Sequence, residues 1–178
     1  TYPGTSTEIS TNSTSSKIVV SSPTIFSIIN PQYVIGGSSK QVIVYKITST
    51  NGSATLNDAT FSIIGSGVKS LTVNGMTSNN SGGSATFNGL ELAIPAGNNG
   101  LNIPVIVNYY PIGEGSGILG APSRIVLNGI KTTDQSGNIL STTDLSLSGF
   151  NTQTLVASLP IVNAVMNSGT SVGVGTTN

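Results

Sequence analysis

LNIPVIVNYY, residues 101–110, decides the fold class. Leu101, Ile103, Val105, Val107 and Tyr109 occupy every second position and share one face of an extended chain, while Asn102, Pro104 and Asn108 share the other. Such a stripe is a half-buried β-strand. Pro104, which has no N–H to give to a ladder, places it at a sheet edge or a bulge.

Outward from this segment the same period recurs in short apolar stretches at 17–20, 24–29, 41–49, 59–64, 69–74, 84–94, 123–132, 138–147 and 153–162. In 41–49, Ile43, Tyr45 and Ile47 fall on one face and Val42, Val44 and Lys46 on the other. No stretch carries a convincing helical stripe; 160–167 alone is a helical candidate, and a turn or a last strand fits it equally well. Asn-Gly pairs at 51–52, 74–75, 88–89, 99–100 and 128–129 can each supply the positive φ angles of a tight hairpin. Asp134-Gln135-Ser136-Gly137-Asn138 reads as an Asx-started turn, and Gly75 to Ser84 and Pro111 to Pro122 as loops projecting from the sheet ends. Many short strands joined by such turns predict an all-β chain, an antiparallel immunoglobulin-like β-sandwich over residues 17–178 with an extended polar N-terminal tail, residues 1–16. No Cys-Trp-Cys core is present to place it among antibody domains proper.

Ser, Thr, Asn and Gly make up half of the 178 residues, and only 7% are charged. Six Lys/Arg balance six Asp/Glu, so no basic field exists to hold a phosphate backbone, which argues against nucleic acid as a partner. No apolar run approaches the roughly 20 residues of a membrane-spanning helix. The chain starts at Thr1 without a basic-apolar leader pattern and is read as a mature product.

With no His and no Cys, imidazole general bases, thiol nucleophiles, disulfides and zinc thiolate sites are excluded, and no cofactor is expected. Ser66-Gly67-Val68-Lys69 matches Ser-x-x-Lys but lies between strands rather than on the helix that chemistry needs. Glu91 and Asp58 read as surface charges instead of a hydrolytic pair. Asp134, Ser136 and Asn138 offer three oxygens where calcium wants six to eight, so the turn reading prevails. These exclusions point away from an enzyme. Three sequons, headed by Asn12, Asn51 and Asn79, fall in tail, turn and loop, where a glycan would sit in solvent.

LELAIPAGNNGLNIPVIVNYY (90–110), continued by SRIVLNGIKTTDQSGNIL (123–140), resembles the strand, Ile-Pro-Ala-Gly turn and strand, then the closing strands, of immunoglobulin-like domains of archaeal and bacterial surface proteins. With its polar tail, the whole chain resembles β-rich subunits of archaeal extracellular filaments, threads and pili joined by donor-strand complementation. The resemblance implies an extracellular, cell-surface helical homopolymer serving adhesion, biofilm or cell contact, in which each subunit gives one terminal strand and receives another. Thr5, Thr7, Ile9 and Thr11, continuing to Ile18 and Val20, are the donor candidates; the alternation in Ser171-Val172-Gly173-Val174-Gly175 makes the other terminus a rival. Edges beside 101–110 or 153–162 are the candidate acceptors. Two other classes compete: a carbohydrate-binding or adhesin module using Tyr33, Tyr109 and Tyr110 as stacking surfaces, and a coat or S-layer-type lattice protein. Few titratable groups also predict tolerance of low pH.

Overall fold

The computed structural model describes residues 7–9, 18–25, 32–143, 145, 147 and 152–159. The described residues form thirteen strands and no helix: β1 (Thr7–Ile9), β2 (Ile18–Ile25), β3 (Gln32–Ile35), β4 (Ser39–Ser49), β5 (Ala54–Gly65), β6 (Val68–Val73), β7 (Met76–Asn79), β8 (Ser84–Phe87), β9 (Leu92–Ile94), β10 (Gly97–Tyr109), β11 (Pro122–Asp134), β12 (Ile139–Thr142) and β13 (Gln153–Val156). The first sheet runs β1-β2-β4-β10-β6-β7. The second runs β3-β13-β11-β5-β8, with β12 also on β11 and β9 also on β5. Every pairing is antiparallel except β13 with β3.

Alternate side chains of both sheets meet in one apolar layer. Ile43, Tyr45 and Ile47 from β4 and Ile103, Val105, Val107 and Tyr109 from β10 are buried, and Phe61, Ile125 and Leu127 face them from the second sheet. Tyr45, Phe61 and Phe87 form a chain of rings, 6.0 Å apart and tilted at 54°, then 5.8 Å apart and edge-on at 90°. Each such side chain contributes about 1.5–3 kcal/mol by leaving water, and the aromatic geometry adds to that.

Tyr45 does more than fill space. Its hydroxyl donates to the carbonyl of Ile125 (3.2 Å) and accepts from the backbone N–H of Leu127 (3.0 Å). β12 pairs with β11 at residues 130–133 and β13 at residues 122–123, so both groups belong to a stretch of β11 that neither strand pairs. A side chain from one sheet thus satisfies the backbone of the other.

β10 is not an edge, as Pro104 suggested it could be, but an interior strand between β4 and β6. The proline is tolerated because β6 pairs only from Val105 to Tyr109, and the ladder with β4 slips beside it, between Val105 and Ile106. The extra residue is Val42 on β4, which turns inward beside Ile43.

Several expected boundaries also move. The stretch 84–94 divides into β8 and β9, both on β5, where Leu90 drops into the core and donates its N–H to Asn57. Gly75 to Ser84 is no projecting loop. Asn74 (φ 48°) and Gly75 (φ 78°) make a two-residue hairpin into β7, held by the Thr72 and Thr77 hydroxyls at 2.9 Å. Of the five Asn-Gly pairs, this one alone closes a two-residue hairpin; Asn99-Gly100 and Asn128-Gly129 lie inside β10 and β11. The helical candidate 160–167 lies outside the described residues.

Candidate functional site

The first sheet ends on the N-terminal strand. β1 meets β2 through three pairs, Thr7 with Val20, Glu8 with Val19 and Ile9 with Ile18, and on its other side has no strand among the described residues. β2 is anchored independently: it runs along β4 from Ile18 opposite Ser49 to Ile25 opposite Ile43, and Ile18 is buried at 1% exposure. The donor candidates therefore divide. Thr7 and Ile9 stand on the outermost strand, Ile18 and Val20 on the strand that receives it, and Thr5 and Thr11 lie outside the described residues.

The acceptor edges expected beside 101–110 and 153–162 are not edges. β10 has β4 and β6 on either side, and β13 has β3 and β11. Strands interior to a sheet have their backbone groups taken, so among the described residues the strands with a single partner strand are β1, β7, β3, β8, β9 and β12. The rival donor, 171–175, falls outside the described residues.

Asn51, in the β4–β5 turn, and Asn79, at the end of β7, are exposed, so both sequons are open to solvent; Asn12 is outside the described residues. The three tyrosines of the binding-module reading do not assemble. Tyr109 is core (3% exposed), burial pushing its hydroxyl pKa well above the usual range. Tyr110 packs its ring against Gly115 in the following loop, and Tyr33 is exposed on β3.

Ser66 sits in the turn between β5 and β6 and Lys69 on β6, with no helix to align them. Asp134 is committed to its turn: one carboxylate oxygen accepts the backbone N–H of Ser136 (2.9 Å) and Asn138 (2.8 Å), and the other accepts the Asn138 amide (2.9 Å). Asp58 accepts from the backbone N–H of Gly89 at 3.0 Å and pairs with Lys131 at 3.6 Å; Glu91 is exposed at positive φ (49°) between β8 and β9. Among the described residues no three His, Cys, Asp or Glu side chains cluster as metal ligands, and no helix is long and apolar enough to cross a membrane.

Two structural features had no sequence signal. The cross-sheet role of Tyr45 needs a partner strand far away in sequence, and Asn128 gave no sign that it is an extra residue between Leu127 opposite Phe61 and Gly129 opposite Thr60. Comparisons with protein-family models, curated proteins and solved structures return no match.

Proposed function

We propose that the chain is a structural subunit of an extracellular filament, polymerising when the N-terminal strand of one copy takes the place of β1 on the next. The supporting observation is the position of β1: an N-terminal strand on the rim of a sheet, held by three residue pairs to a strand the core anchors separately. Because a strand ladder is joined through backbone groups that every copy carries, an identical segment from a neighbour satisfies β2 equally well. Within this reading Thr7 and Ile9 belong to the donor, and Ile18 and Val20 line the acceptor. The exchange is head-to-tail and does not close on itself, so it propagates as a filament. The immunoglobulin-like character of the sandwich and solvent-facing glycans on Asn51 and Asn79 are parts of the same proposal.

The chain has no cysteine, so an introduced pair is an unambiguous reporter. Glu8→Cys with Val19→Cys places two thiols directly opposite across the β1–β2 ladder, at the roughly 4.5–5.5 Å Cα spacing that a disulfide spans. Oxidation under assembly conditions gives a covalent ladder on a non-reducing gel that collapses on reduction, and electron microscopy shows filaments. Exclusive formation of a closed monomer, with no polymer in the micrographs, would sink the proposal.

A further inference from the structure

The outer face of the second sheet carries a depression of about 250 Å³ remote from the β1 edge. Its floor is a cross-strand row, Thr86 opposite Thr60 opposite Gly129, and one wall is the next row, Asp58 opposite Lys131 opposite Ser141. Asn128 bulges out of β11 beside the hollow. Gly129 lets the Thr142 backbone come close, since a Cβ there would meet the Thr142 carbonyl oxygen at 2.6 Å.

The lining has a definite chemistry. The Asp58 carboxylate is fixed by the Gly89 N–H and faces the Lys131 ammonium at 3.6 Å, with both side chains still partly open to solvent, at 28% and 43%. A carboxylate that accepts beside an ammonium that donates matches two neighbouring hydroxyls, one giving its proton to Asp58 and the next accepting from Lys131. The two charges cancel, which selects against an ionic ligand. Around them stand the hydroxyls of Thr60 and Thr86 and the amides of Asn88 and Asn128, each able to donate and accept, with no aromatic ring in the lining.

We propose that this depression binds a pyranose unit of a neutral glycan through a vicinal diol held between Asp58 and Lys131. The glycan comes either from an external polysaccharide or from Asn51 or Asn79 of a neighbouring copy; the site does not depend on the filament reading. The test is a titration of ¹⁵N-labelled protein, made in a host that adds no glycan, with methyl pyranosides and with analogues lacking one hydroxyl of the diol. Saturable amide shifts confined to 58–60, 86–89 and 128–131 are expected, with a dissociation constant in the millimolar range normal for a single small ligand, about −4 kcal/mol. The deoxy analogues, and the surface variants Asn88→Ala and Lys131→Met, lose about tenfold or more in affinity with the thermal midpoint within a few degrees of wild type. Absence of saturation with every pyranoside, shifts scattered over both sheets, or unchanged affinity in both variants overturns the site. Glycosylated protein then separates the two sources: self-association dissolved by free methyl pyranoside identifies the neighbour's glycan, and a persistent monomer that still binds free pyranoside identifies an external one.

Discussion

Replacing Tyr45 by Phe deletes one oxygen atom and keeps the ring, so the contact with Phe61 at 6.0 Å survives and no large cavity opens. What is lost is the bridge between the sheets. The hydroxyl holds the Ile125 carbonyl at 3.2 Å and the Leu127 N–H at 3.0 Å, and both backbone groups stay buried when it goes. An orphaned buried group costs about 1–3 kcal/mol, and the longer bond stands at the low end, giving about 2–4 kcal/mol for the pair. In a chain of this size each kcal/mol lowers Tm by about 2–4 °C, so Tyr45→Phe should melt about 4–16 °C below wild type. Calorimetry gives the midpoint, and urea unfolding should show a lower midpoint at unchanged slope, the sign of a weakened native state in an unaltered unfolding unit. Tyr45→Leu, which also loses the ring, should cost more. A loss under about 0.5 kcal/mol in the Phe variant, or equal losses in Phe and Leu, would refute the bridge, since surface-like substitutions fall in that range.

Alkali tests the same residue from another side. Burial raises the hydroxyl pKa of both Tyr45 and Tyr109, so the unfolded chain ionises first. Stability should be flat below pH 10 and fall above it by up to two protons, roughly 3 kcal/mol per pH unit, in urea titrations; a flat profile to pH 12 contradicts this, and Tyr45→Phe with Tyr109→Phe should flatten it. Two glycine substitutions should separate backbone strain from collision. Gly75→Ala finds open space and costs about 1 kcal/mol for its positive φ, whereas Gly65→Ala drives a Cβ into the Pro122 carbonyl oxygen and should cost at least ~3 kcal/mol; equal midpoints would show the β5–β11 approach to be loose. In acid, with six Asp/Glu side chains and no His, the fold, and the filament proposed above, should persist from pH 7 to 2, with loss of protection in hydrogen exchange confined to β12 and the Asp134 turn before it. Cooperative disassembly near pH 4 is the contrary result.

The layers of the sandwich were legible because burial enforces period two. The face expected for 101–110, and that expected for 41–49 except at Val42, are the buried faces observed, since a slip along the whole strand would turn each stripe to water. The edges were not legible. β7 reads Met-Thr-Ser-Asn and has no apolar alternation, because a rim strand is held by its backbone and its side chains face solvent. β3, with Gln32 and Val34 inward and Tyr33 and Ile35 outward, does alternate, but four residues between Pro31 and Gly36 gave too short a signal beside the longer runs. The polar depression was invisible for a further reason. Asp58, Asn88 and Lys131 are isolated surface residues in the sequence, and only the register of β8, β5 and β11 brings them together.

The parallel pairing of β3 with β13 has a consequence in time. The hairpin of β6 and β7 can close as soon as residue 79 exists, but β3, near the start of the chain, finds its neighbour only when residue 156 is available. Nothing local can substitute, since parallel strands need a long crossover. Loop closure between residues 32–35 and 153–156 makes this the slowest step expected for the sheet. A chain still being extended therefore holds β3 in waiting, and the second sheet gains that strand only once residue 156 has emerged.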